Sequence, residues 1–130
     1  MKNIVALISL LVSTTTFAAI DLGKIEKSIE CAVLYDSAKK NTARSLQRSD
    51  ADLKANGLSK ELLNFLIKED DKNYVSHAKE YASAIKIANQ KEGEAMDAML
   101  KKYNTKVQTL ATTNFSEFFA YLQTRDKKCN

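Results

Sequence analysis

The apolar positions of this chain recur at helical spacing nearly from end to end. Ile25, Ile29, Ala32 and Val33 form a first stripe, which Cys31, Leu34, Tyr35 and Ala38 widen. This predicts a helix starting near Asp21. The apolar signal fades from Lys39 to Asp52, where Ala43 and Leu46 are the main survivors. Asn56-Gly57-Leu58-Ser59 then reads as a helix stop followed at once by a start. Gly57 has no Cβ to clash in the left-handed conformation past a helix end, and Leu58 is placed for a Schellman contact back to Leu53. Ser59 caps the next helix, with Leu58 and Leu63 spaced as a hydrophobic staple.

The next helix carries Leu62, Leu63, Phe65, Leu66 and Ile67 and meets the charged run Lys68-Glu69-Asp70-Asp71-Lys72. That run is a turn or a polar stretch of a longer helix. Tyr74, Ala78, Tyr81, Ile85 and Ala88 continue as a narrow seam, and Met96, Met99, Leu100, Tyr103, Val107 and Leu110 extend it. One unbroken helix from Tyr74 to Leu110 would be roughly 55 Å long, too long for a compact chain of this size. A weak break falls at Asn89 to Gly93, and a turn marked by Gly93 is therefore favoured over an elongated, dimeric arrangement. Asn114 caps a last helix with Glu117 three residues on, followed by Phe115, Phe118, Phe119 and Leu122 on one face and Tyr121 pointing elsewhere. Arg125, Lys127 and Lys128 suit its C-terminal end. Proline is absent and only Gly23, Gly57 and Gly93 interrupt the chain with glycine. The expected fold is all-α, a compact bundle of four to five helices.

The N-terminus changes the picture of where this bundle resides. Met1-Lys2-Asn3 is followed by an apolar run, Ile4 to Val12, broken only by Ser9, and then by small polar residues up to Ala19. This is the layout of a secretory signal peptide, with the cut expected after Ala18 and Thr16 at the −3 position. The run is about half the roughly 20 residues that span a bilayer, which argues against a stable membrane anchor. Residues 1–18 are thus read as a signal peptide and 19–130 as a single helical domain. The Lys- and Asn-rich, Pro-free composition suggests a bacterial periplasmic or secreted protein. Cys31 and Cys129, the only cysteines, are then expected to form a disulfide closing the bundle.

The formal charge of +4 falls by one when Lys2 leaves with the signal. So mild a surplus, together with export, excludes nucleic acid as the expected partner. Catalytic equipment is sparse. His77 is the sole histidine, without a His-Glu-x-x-His or Glu-x-x-His pattern, so no metal site is expected. Haem held between His77 and Met96 or Met99 would require facing helices, and these methionines read as core filler. No Gly-x-Ser-x-Gly turn accompanies the histidine, and Glu69, Asp70 and Asp71 read as a solvated acidic cluster. Asn114-Phe115-Ser116 fits a glycosylation sequon, taken as chance in a bacterial setting.

Two features point to contact with another molecule. Lys40, Arg44 and Arg48 recur every four residues, a basic helical face suited to an acidic protein, an anionic head group or a polyanion. The aromatic helix offers Phe118 and Tyr121 as further contact candidates, although core packing is the ordinary fate of such residues. The expected function is that of a small exported protein, not an enzyme and without a cofactor. It would act by contact with another exported or cell-envelope protein, as an inhibitor or immunity protein does. A periplasmic chaperone-like or structural protein, including a homodimer, is the alternative, and a four-helix cofactor carrier the second.

Overall fold

The computed structural model describes Ile20–Asn130 and is helical throughout those residues. Residues 1–19, on which the signal-peptide reading falls, lie outside the described part. In chain order the elements are α1 (Leu22–Ser45), α2 (Asp50–Ala55), α3 (Lys60–Ile87), α4 (Gln90–Thr113), α5 (Phe115–Gln123) and a closing helical turn, α6 (Arg125–Cys129). No helix among the described residues is long and apolar enough to cross a membrane.

The organising element is α1. Ser28 to Tyr35 are all buried, because this stretch is apolar on nearly every side and a helix of that kind must be covered all round. On one part of its surface Ile25, Ile29 and Val33 meet Ala84 of α3 and Met96, Tyr103 and Val107 of α4. Further along, Cys31, Leu34, Tyr35 and Ala38 meet Phe118 and Leu122 of α5 and Cys129 of α6. Helix α3 runs antiparallel to α1, as Ser28 donating to Glu80 and Lys39 donating to Asp71 at 2.9 Å require. Cys31 and Cys129 are bonded, with Cα atoms 5.8 Å apart, which fastens α6 to the middle of α1.

The helix ends follow local chemistry. Asp21, Ser49, Ser59, Asn89 and Asn114 each accept a backbone N–H in the first turn of the helix they precede. After α2, Gly57 takes φ +70°, its N–H donates to the Lys54 carbonyl at 3.0 Å and the Leu58 N–H to the Leu53 carbonyl at 2.8 Å. This is the Schellman pairing that the sequence predicts.

The structure decides between the two readings of one run and places one turn. The run Lys68–Lys72 is not a break: α3 continues through it, because Asp70 turns inward to Arg125 and Asp71 outward to Lys39. The break expected over Asn89 to Gly93 falls at Ala88–Asn89, at the start of that range rather than at Gly93. Asn89 and Glu92 form a reciprocal capping box, with Asn89 Oδ1 accepting from Glu92 N–H at 2.8 Å and Glu92 Oε1 accepting from Asn89 N–H at 3.0 Å. Gly93 sits inside the first turn of α4.

Candidate functional site

The basic face predicted on α1 lies beside a groove. Lys40, Asn41 and Arg44 line one wall, Asn104 and Gln108 of α4 the other, and Val107 and Phe118 close the base of a volume of about 210 Å³. The fold therefore brings Lys40, Arg44 and Phe118 together. Lys40 is held by Asp36 at 2.8 Å across one helical turn, so much of its charge is answered locally. Arg44 is exposed and carries no ion pair among the described residues. Arg48 belongs to the turn after α1, where its Nε meets Asp52 Oδ2 at 2.6 Å. It therefore stands apart from the groove lining.

Phe118 and Tyr121 do not form an exposed patch. Phe118 is only 5% exposed, in the core beneath α1. Tyr121 is half-buried and touches both groups of core side chains. Its hydroxyl donates to Glu30 Oε2 at 2.5 Å. The sequence puts Phe115, Phe118, Phe119 and Leu122 on one inward face with Tyr121 pointing elsewhere. The structure corrects this: the buried stripe of α5 is Phe118, Tyr121 and Leu122. Phe115 and Phe119 stand 58% and 45% exposed, with ring centroids 6.5 Å apart.

These exposed rings adjoin a second cleft. Phe119 and Leu122 line it from α5, Leu63 and Leu66 from α3, and Ala38 and Thr42 from α1. On α3, Leu62, one turn before Leu66, and Phe65, beside it in the chain, remain 41% and 59% exposed. The C-terminal half of α1 is thus a ridge between two clefts. One is polar and edged by Arg44; the other is more apolar and edged by Phe119. Asn41 lines both.

A set of polar contacts that sequence reasoning did not single out ties the first half of α1 and Tyr35 to α4, α5 and α6. Glu26 and Glu30, one turn apart on α1, accept from Tyr103 at 2.6 Å and Tyr121 at 2.5 Å. Lys102 reaches Glu26 at 3.4 Å and Lys128 reaches Glu30 at 3.0 Å. Tyr35 donates to Asp126 at 3.1 Å. The hydrogen bond from Tyr103 is the main cause holding the Glu26 carboxyl below its ordinary range. Burial, followed by the Asp126 bond, pushes the Tyr35 phenol up to about 12. Tyr103 is raised chiefly by its bond to Glu26, and Tyr121 by burial and then Glu30.

Asp70 is 4% exposed and forked by Arg125, with Nε to Oδ1 at 2.9 Å and the second nitrogen to Oδ2 at 3.4 Å. Burial raises the Asp70 carboxyl and Arg125 opposes that rise. The acidic cluster of the sequence is accordingly split between the interior and the surface. His77 stacks on Tyr35 with ring centroids 5.8 Å apart, and its buried Nδ1 has no hydrogen-bond partner among the described residues. Met96 is fully buried against α1 in the other group of core side chains. No family model matches this chain, and neither the curated proteins nor the solved structures give a match.

Proposed function

We propose that this is a small exported binding protein that acts by holding another exported or cell-envelope protein, as an inhibitor or immunity protein does. The observation that carries the reading is the exposure of large apolar side chains, Leu62 and Phe65 on α3 and Phe115 and Phe119 on α5, with Leu66 and Phe119 lining one cleft. Aromatic side chains held in water on a rigid support are the usual anchors of protein interfaces. The support here is stiff, because α5 is anchored by buried Phe118 and Leu122 and the chain beyond it by the Cys31–Cys129 bond. That bond also fits an oxidising compartment and so agrees with the signal-peptide reading of residues 1–18.

The test is capture of partners by the oxidised protein, Ala19 to Asn130, from extract of its own compartment, read by mass spectrometry. One stoichiometric partner, lost on substitution of both Phe65 and Phe119 by Ser, is the expected result. Many weak clients that depend on the same residues would favour a chaperone-like protein instead. A captured partner indifferent to those residues would remove the patch from the reading.

A further inference from the structure

The groove between α1 and α4 is chemically more selective than its charge. The side-chain amides of Asn41, Asn104 and Gln108 all face it and make no hydrogen bond within the described residues. Each can donate and accept, which is what the alternating N–H and C=O groups of an extended peptide need. Arg44 stands at the same edge with its guanidinium uncommitted, whereas Lys40 is already answered by Asp36. A planar guanidinium binds a carboxylate through two parallel hydrogen bonds. The base, Val107 with the edge of Phe118, is apolar and suits an aliphatic side chain. Asp36 also lines the groove, its carboxylate answered by Lys40 at 2.8 Å and Lys39 at 3.8 Å, so Arg44 is left as the unanswered charge. The groove thus offers a carboxylate clamp, peptide-pairing amides and an apolar floor within about 210 Å³.

We propose that this groove takes an acidic peptide segment of the partner, with a carboxylate side chain on Arg44 and a neighbouring aliphatic side chain over Val107. The proposal rests on the binding-protein reading above and gives its partner a chemistry.

The probe is a capped hexapeptide of alternating Glu and Leu, compared with its Gln–Leu counterpart, titrated to millimolar concentration into the oxidised protein. The readout is the side-chain amide NMR signals of Asn41, Asn104 and Gln108. Saturable shifts at all three with the Glu peptide are expected. Affinity should fall about tenfold or more with the Gln peptide or in Arg44→Gln, the worth of one charge-assisted hydrogen bond. The Arg44 side chain is exposed and makes no hydrogen bond or ion pair among the described residues, so its variant should keep the parent's circular dichroism and melting point. Shifts of equal size with both peptides would overturn the proposal, as would none with either, or shifts elicited only by an anionic oligosaccharide. The two readings fail separately. A captured partner that binds Arg44→Gln as tightly as the parent sinks the groove and leaves the binding protein standing. Peptide binding without any captured partner does the reverse.

Discussion

The ionisable side chains here are placed so that single substitutions separate their roles. Asp70 is buried, and Arg125 is its only ion-pair partner among the described residues. Arg125→Ala leaves a buried carboxylate unanswered and is expected to cost about 3 kcal/mol in urea unfolding at neutral pH. Because burial raises the Asp70 carboxyl, that group takes up a proton more readily folded than unfolded. Protonation relieves the buried charge, so the deficit of the variant should shrink as pH falls through the carboxylate range. Glu26 has the opposite sign. Its carboxyl is lowered in the fold, so its contribution is present above the unfolded value and is lost as pH falls through the folded one. Tyr103→Phe should therefore cost about 1 kcal/mol at neutral pH, a low figure because Glu26 is partly exposed, and almost nothing in acid. Paired urea titrations of parent and variant at the two pH values check both signs. Asp70 was readable in the sequence only as a member of a charged run. Nothing near it in the chain announces an arginine 55 residues away, because the pairing exists only once α6 has been laid across α3.

At the scale of elements, the two glycines that the sequence treated alike behave as opposites. Gly57 holds φ +70° at the end of α2, so Gly57→Ala is expected to cost about 1 kcal/mol through backbone strain. Gly93 lies in helical conformation with open space where a Cβ would go. Gly93→Ala should add up to about 1 kcal/mol of stability by helix propensity. Thermal unfolding of the two variants should move the midpoint in opposite directions. The stop at Gly57 was legible because Leu53, Lys54, Gly57 and Leu58 form it among themselves. The stop before α4 was harder to place, since Asn89 and Glu92 cap it without glycine or proline, while Gly93 drew the eye. In α5 the helix itself was legible from Asn114 and Glu117. Its rotation was not, because it depends on Glu30, far away on α1, accepting the Tyr121 hydroxyl.

Across the whole molecule, the all-α character could be read from periodicity and the lack of proline, and the disulfide from two cysteines in a chain that reads as exported. The basic edge of the groove was legible as Lys40 and Arg44 four apart. Its other wall was not, since only the packing of α4 against α1 brings Asn104 and Gln108 opposite them. The closing turn shares its load between covalent and polar bonds. Beside Cys129, the turn is held by Arg125 on Asp70, Asp126 on Tyr35 and Lys128 on Glu30. Reduction of Cys31–Cys129 is therefore expected to lower stability by about 2–4 kcal/mol while the helices remain. Urea unfolding followed by circular dichroism, with and without a dithiol reductant, measures this; loss of helix in the reduced protein without denaturant would contradict it.

The same bond makes a ring of everything between Cys31 and Cys129, and that ring holds the whole of α2, α3, α4 and α5 together with most of α1. A protease that cuts one peptide bond inside it opens the ring but frees no fragment. The nicked chain migrates as one molecule until its cystine is reduced, and its buried side chains keep their neighbours. A first cut at an exposed turn such as Gln47–Ser49 would then be survivable damage, an advantage in the exported setting proposed above.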